Sequence, residues 1–235
     1  MTKDKFWNKI KETLFPHYSC AICGKETPNG KLCDGCKEFL IVPNYCARCG
    51  EHAGESDTLC LECSETNWNF DKNLSVFEYN QFTAAPILAM KYKEKRYLAK
   101  DFAKLLYERY VAAGFDAEIV CSVPSSPKRL KERGYNHAED LAKEFCKLAN
   151  LPYAELLTKT KETEHQTELS REERKQNLVD AFVCTDKTIK GKKVLIIDDV
   201  FTTGSTLDAC SKAIKKCKPS NVYCLTIAKT LYSKV

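Results

Sequence analysis

Residues 194–207 read Val-Leu-Ile-Ile-Asp-Asp-Val-Phe-Thr-Thr-Gly-Ser-Thr-Leu, and no other stretch constrains the fold as tightly. The apolar run Val194–Ile197 ends in two adjacent carboxylates, Asp198 and Asp199. A continuous apolar run bounded by a loop suits a strand buried on both faces, as in a parallel sheet. Thr202, Thr203, Gly204, Ser205 and Thr206 form a small hydroxyl-rich loop, and a helical pattern starts at Leu207 and continues through Ala209, Cys210 and Ala213. Strand, loop and helix N-terminus in that order make an anion site, because unpaired backbone N–H groups point at the ligand. Gly204 lets the backbone approach the anion closely or adopt positive φ.

Carboxylates repel phosphate, so Asp198 and Asp199 should serve the part of the ligand that is not phosphate. They could accept hydrogen bonds from sugar hydroxyls or order a hydrated Mg²⁺. A phosphorylated sugar satisfies both halves. The arrangement resembles the signature of type I phosphoribosyltransferases, which bind 5-phosphoribosyl-1-diphosphate (PRPP). That resemblance implies that Asp198 and Asp199 hold the ribose 2- and 3-hydroxyls and that Thr202–Thr206 hold the 5-phosphate. The plainer reading is a buried strand followed by an ordinary helix cap.

The 235 residues allow one good core and a small appendage. The mean hydropathy of -0.42, with no long apolar run, excludes a transmembrane helix. Residues 1–17 lack the apolar centre of a signal peptide; Phe6, Trp7, Ile10 and Leu14 instead predict a short amphipathic helix. Of the 14 cysteines, eight lie in Cys-x-x-Cys pairs before residue 64, and six are scattered singly through apolar segments. Without a secretion signal, the single cysteines read as reduced, buried small hydrophobes, and a cytoplasmic location is expected.

The pairs are Cys20/Cys23, Cys33/Cys36, Cys46/Cys49 and Cys60/Cys63, separated by nine, nine and ten residues. A tight turn at this spacing aims two thiolates at one metal. Gly24 and Gly50 follow the first pair of each half, and Cys-Ala-Ile-Cys-Gly-Lys repeats as Cys-Ala-Arg-Cys-Gly-Glu. Residues 18–66 are therefore expected to hold two structural Zn²⁺ ions as a double zinc ribbon. Sequential pairing, one zinc per half, fits the self-contained halves; a cross-braced pairing is the alternative. Residues 1–66 carry 8 Lys+Arg against 10 Asp+Glu, net −2, and the remainder carries 29 against 22, net +7. Each four-thiolate centre adds a formal −2, taking the loaded module to about −6. Such a ribbon is poorly suited to gripping a phosphate backbone and reads as a structural or docking element.

Residues 67–235 are expected to form one further domain. Asn69–Tyr79 and Glu118–Val123 read as strands, and Thr83–Tyr92, Tyr97–Ala113 and Ala138–Leu148 as helices. Tyr153–Leu157 reads as strand-like, and Asn221–Thr230 as the last strand. Between Val123 and His137 lies a loop rich in cations and hydroxyls. Arg129 and Arg133 suit bidentate phosphate contacts, with Ser125 and Ser126 beside them, so the loop is a candidate diphosphate site. The polar stretch from Thr158 to Asn177 reads as a lid or a disordered loop; Glu164–Asn177 would close over the site, with Gln166, Arg171 and Arg174 as candidates.

Three motifs together resemble the ComF family of phosphoribosyltransferase-like proteins linked to natural competence. They are Val-Pro-x-x-x-Lys-Arg-x-x-x-Arg-Gly-Tyr-Asn at 123–136, Gln166…Leu169-Ser170…Arg174…Asn177…Ala181-Phe182, and Asp-Asp-Val-x-Thr-Thr-Gly-x-Thr at 198–206. Phe15-Pro16 and Leu88…Lys91-Tyr92 also fit that pattern. His137 departs from it, standing where the family usually has glutamine. The resemblance implies an α/β fold of type I phosphoribosyltransferase kind, with a mostly parallel sheet flanked by helices and preceded by a double zinc ribbon. It implies PRPP as ligand, Mg²⁺ bound with it, and diphosphate as leaving group. No residue announces the acceptor or a general base. A second reading is a PRPP- and single-stranded-DNA-binding competence factor without turnover. In that reading Trp68, Tyr92 and Tyr97 stack on bases beside Lys91, Lys93, Lys95 and Arg96; the plainer reading, preferred here, packs these aromatics in core and interface.

Overall fold

The computed structural model describes residues 19–27, 32–41, 46–51, 53, 58–92, 95–160, 178 and 180–231. The expected helix over residues 1–17, the lid candidates Gln166, Arg171 and Arg174, and Lys93 lie outside the described residues.

Two short helices, α1 (Asp34–Lys37) and α2 (Leu61–Glu65), each begin directly after a cysteine and carry the last cysteine of their half. The sheet domain then runs β1 (Lys72–Glu78), α3 (Gln81–Lys91), α4 (Leu98–Ala112), β2 (Ile119–Ser122), α5 (Pro127–Arg133) and α6 (His137–Ala149). A small pair follows, β3 (Thr158–Lys159) and β4 (Phe182–Val183), and the chain closes with β5 (Lys193–Phe201), α7 (Ser205–Lys215) and β6 (Asn221–Lys229). The main sheet has the order β1-β6-β5-β2 and every pairing in it is parallel; β3 and β4 pair antiparallel.

Strand β5 is central, and side chains alternate across a strand. Leu195 and Ile197 enter the core shared with Phe102 and Leu106 of α4 and Leu141 and Phe145 of α6. Val194 and Ile196 enter the opposite core with Cys210 and Ile214 of α7. The same alternation places Asp199 on the α4/α6 side and Asp198 on the α7 side. Among the single cysteines, Cys121, Cys146, Cys184, Cys210 and Cys224 are buried and form no disulfide, as small hydrophobes should.

Both sheet edges are covered. An open edge would present unpaired backbone groups to other chains. On β1, the N–H of Ile41 donates to Val76 O at 2.9 Å, and the N–H groups of Glu78 and Asn73 donate to Phe39 O at 2.9 Å and Arg48 O at 2.7 Å. The cysteine module thus caps this edge from both of its halves. On β2, Val120 pairs with Pro152 and Ala154 at 3.0 and 2.9 Å.

Three expectations need correction. The Tyr153–Leu157 segment contributes only a single bridge, Val120 to Tyr153, because it caps an edge where the backbone turns away after one rung; the regular strand is Thr158–Lys159. The cationic stretch read as a loop contains helix α5, with Pro127 in its first turn and Gly134 at φ 73 as its C-cap. Trp68 is 5% exposed, stacked on Phe70 and edge-on to Phe201, so it is not available to stack on bases. Tyr92 and Tyr97 are exposed, at 59% and 63%.

Candidate functional site

The carboxyl ends of β5 and β2 open onto a cleft of about 180 Å³. Its walls include Ser125, Ser126, Arg129 and Arg133 from the β2–α5 segment, and Asp198, Asp199, Thr202 and Thr206 from the end of β5 and the loop after it. Lys91, Asn136, His137, Lys159 and Phe182 complete much of the lining. Two sequence motifs about seventy residues apart are thus brought to one cavity by the parallel pairing of β2 with β5.

Asp199 is buried and carries contacts on both oxygens. Lys91, the last residue of α3, forms an ion pair with Oδ2. His137 Nε2, at the start of α6, lies 3.6 Å from Oδ1. Burial alone would raise the Asp199 pKa, but the Lys91 charge, with the His137 ring beside it, outweighs burial and holds the carboxyl well below its ordinary range. Lys91 shows the mirror balance: burial opposes its charge, and Asp199 reverses that and raises its pKa. Asp198 is raised well above the ordinary value, first by burial and then by the charge on Asp199. The pair therefore shares its charge unequally, with Asp199 ionised and Asp198 resisting ionisation. The backbone N–H of Asp199 donates to Asp198 Oδ1 at 2.9 Å, which fixes the neighbouring side chain.

The loop after β5 divides its hydroxyls. Thr202 and Thr206 face the cleft. Thr203 and Ser205 are buried and hydrogen-bond each other at 2.9 Å beneath it. Gly204 has φ +77, as expected of a residue that turns strand into helix. It also stands where a Cβ would lie 2.5 Å from Phe201 Cζ and 3.0 Å from Trp68 Cη2. Asp208, in the first turn of α7, is held by Asn69, whose backbone N–H donates at 2.6 Å and whose Nδ2 reaches both carboxylate oxygens.

On the opposite wall, Ser126 caps α5 by accepting from the Arg129 N–H at 3.3 Å, and Ser125 donates to Asn136 Oδ1 at 3.1 Å. These hydroxyls organise the wall as well as line it. Asn136 donates to Val123 O at 3.0 Å and caps α6 by accepting from the Ala138 N–H at 3.2 Å. Arg133 stacks over the Tyr92 ring at 5.2 Å, and Tyr135 Oη donates to Met90 O at 2.5 Å. The end of α3 is thereby tied to the arginine-bearing segment.

The eight paired cysteines fall into two groups, Cys20/Cys23/Cys33/Cys36 and Cys46/Cys49/Cys60/Cys63, each with its sulfurs within 4.8 Å of one another. This is the sequential pairing. Cys23 and Cys33 sulfurs are 3.6 Å apart, and those of Cys49 and Cys60 are 3.7 Å apart. Four sulfurs around one zinc at about 2.3 Å stand roughly 3.8 Å from each other, so both groups fit a tetrahedral ion.

Comparison with known proteins agrees with both halves. The family model described as phosphoribosyl transferase domain matches residues 130–234, and that described as double zinc ribbon domain matches residues 10–66. The chain is 29% identical over 216 residues to Competence protein F of Haemophilus influenzae, covering 86% of this chain and 93% of that one. It is 28% identical over 204 residues to Competence protein ComFC of Streptococcus pneumoniae, covering 84% and 87%.

The chain is thus similar over most of its length to competence proteins F and ComFC, and carries a phosphoribosyl transferase domain after a double zinc ribbon.

DNA utilization protein YhgH of Escherichia coli is a more distant relative, 24% identical over 218 residues and covered to 90% on both sides. Among solved structures, the glutamine PRPP amidotransferase from B. subtilis aligns at TM-score 0.39 and 18% identity, over 55% of this chain and 25% of that one. The chain has the type I phosphoribosyltransferase fold with an N-terminal double zinc ribbon. Among the described residues, no helix is long and apolar enough to cross a membrane.

Asn136, Lys159 and Phe182 line the cleft without a site role in the sequence, and neither Lys91 nor His137 is tied there to the acid pair. Lys91 reads there as one of a basic run, and His137 only as a departure from a family pattern. The signal for Lys91 is its place in the Leu88…Lys91-Tyr92 pattern. Nothing local to His137 marks it as a neighbour of Asp199.

Proposed function

We propose that this chain binds PRPP together with Mg²⁺ in the Asp198/Asp199 cleft and transfers or recognises its phosphoribosyl group, in a role tied to DNA uptake. The observation that carries the reading is convergence. One cleft brings together an acid pair, a glycine-containing loop at the N-terminus of α7, and Arg129 with Arg133. The acids suit a vicinal diol, the loop suits a terminal phosphate, and the arginines suit a diphosphate. In a transfer, the anomeric C–O bond breaks, diphosphate leaves with its electron pair, and the acceptor's nucleophile forms the new bond at that carbon. Arg129 and Arg133 would take up the charge that accumulates on the leaving diphosphate. A divalent ion bound with the ligand would add to that neutralisation, and Asp198 and Asp199 are the carboxylates within reach. The link to DNA uptake rests on the names of the competence and DNA-utilization relatives.

Calorimetric titration of zinc-loaded protein with PRPP and Mg²⁺ tests the reading. Saturable binding is expected in the parent and a clear loss in the Asp198→Asn/Asp199→Asn double variant. A folded parent that binds no PRPP would sink it. Turnover with a nucleobase separates transfer from recognition. The reading without turnover draws on the exposed Tyr92 and Tyr97, and predicts DNA affinity whose logarithm falls linearly with the logarithm of salt.

A further inference from the structure

We propose that Lys91 is a ligand-contacting specificity residue: it exchanges Asp199 for the anomeric anion of a bound phosphoribosyl ligand, and so admits ligands that present a vicinal diol and that anion together. The proposal rests on the phosphoribosyl reading of the cleft.

Asp199 is held by protein on its Oδ2 side, so a diol that takes this carboxylate competes with Lys91. Its Oδ2 is taken by Lys91, and its Oδ1 faces His137 Nε2 at 3.6 Å. Only 21% of the Lys91 side chain and 8% of the Asp199 side chain are exposed, so water offers either charge little substitute for the other. A neutral diol that displaced the ammonium would leave a largely buried cation without a partner, and uncompensated buried charge is strongly unfavourable. A ligand that brings its own anion removes that obstacle. The diol takes the carboxylate, and the anion takes the ammonium.

The placement of Lys91 fits this exchange. It ends α3, directly before Tyr92, on whose ring Arg133 stacks at 5.2 Å. Tyr135, two residues after Arg133, donates to the Met90 carbonyl at 2.5 Å, directly before Lys91. The lysine therefore stands between the acid pair and the wall that carries Arg129 and Arg133, and all five side chains line one cleft. A helix C-terminus repels anions, so α3 could contribute to anion binding at this point only through a cationic side chain. A purely structural lysine would stay on Asp199 whatever was bound.

Ribose 5-phosphate separates the two roles. It offers the same diol and the same 5-phosphate as PRPP but lacks the anomeric diphosphate. Zinc-loaded full chain is titrated calorimetrically with each, in the presence of Mg²⁺, as parent, Lys91→Met and Lys91→Arg. The parent is expected to prefer PRPP by more than about ten-fold, since a charge-assisted contact is gained with it alone. Lys91→Met is expected to narrow that preference, leaving what Arg129 and Arg133 supply: PRPP weakens by about ten-fold or more, while ribose 5-phosphate binds as well as before or better, because Asp199 has lost its internal competitor. Lys91→Arg keeps the preference. A folded Lys91→Met protein that loses affinity for both ligands equally, or for neither, overturns the proposal and leaves the phosphoribosyl reading intact. If the variant does not fold, the Lys91 ¹⁵Nζ resonance of the parent decides. It is expected to shift with PRPP and stay in place with ribose 5-phosphate, and an equal response to both overturns the proposal. A parent that binds neither sugar phosphate removes the underlying reading, and the proposal with it.

Discussion

Trp68 Cη2 lies 3.0 Å from the point where a Cβ on Gly204 would stand. The tryptophan belongs to the segment that leaves the second cysteine cluster, and the glycine belongs to the anion loop. Phe201 presses on the same point from the strand side, at 2.5 Å, and Trp68 and Phe201 meet edge to face. The segment that leaves the ribbon is thus part of the wall that shapes the loop. Gly204→Ala should destabilise the protein by about 2–3 kcal/mol, combining a left-handed residue with a Cβ that forces an aromatic ring to move. It should also weaken PRPP binding more than Ser220→Ala, a control outside the cleft. Urea unfolding and calorimetry read the two effects, and a neutral Gly204→Ala would show that the aromatic wedge yields easily.

Removing zinc should reach the sheet. In a module with so little core, metal binding supplies most of the folding free energy, about 10–16 kcal/mol per site in peptides. Loss of the second cluster frees Trp68 and uncovers the edge of β1, whose N–H groups at Asn73 and Glu78 are bonded to the module. In a Trp7→Phe background, chelation is expected to red-shift the tryptophan emission and to produce self-association on size exclusion. A chelated chain that keeps blue emission and elutes as before would mean that the edge stands without its cover.

Much of this arrangement was legible in the sequence. The Val194–Ile197 run, the acid pair and the two cysteine halves each announce themselves through local chemistry, and β5, the loop and the sequential clusters follow from them. Legibility ended where tertiary packing decides. Helix α5 hides in a basic stretch because none of its residues is buried and no apolar periodicity marks it. The sequence leaves Trp68 between base stacking and the core, and Phe70 and Phe201, two and more than a hundred residues away, decide for the core. Lys91 reads as one cation in a run, and only the register of α3 against β5 turns it onto Asp199.

A second tie between module and sheet can be separated by a double-mutant cycle. Lys229, at the end of β6, is 2% exposed and pairs with Glu51, just past the second zinc turn, at 3.5 Å. Its ammonium also lies 4.1 Å from the centre of the Phe201 ring. Removing one partner leaves the other charge buried, so Glu51→Leu and Lys229→Met should each cost about 3–5 kcal/mol. The double variant should cost much less than their sum, since two apolar side chains replace the pair. Additive losses in thermal or urea unfolding would mean that the two residues act independently.

The acid pair should respond asymmetrically to neutralisation. Asp199 has a lowered folded pKa, so its contribution to stability is present above the ordinary carboxylate value of about 3.9 and is lost as pH falls through the folded value. Asp198 has a raised folded pKa, so its contribution is present below the ordinary value and is lost as pH rises through the raised one. At pH 7 the two therefore oppose each other. Asp198→Asn should stabilise the unliganded protein at pH 7 by about 1 kcal/mol, because the amide copies the protonated acid and still accepts from the Asp199 N–H. That gain should shrink as pH is lowered toward 4. Asp199→Asn should cost about 3 kcal/mol at pH 7, because it leaves the Lys91 ammonium without its partner. Both variants should lose PRPP affinity, so stability and binding part company at position 198. Urea unfolding of the two single variants across pH 4–7 measures this directly. Equal destabilisation by both would place the shared charge on the two residues alike and contradict the arrangement in which Lys91 holds it on Asp199.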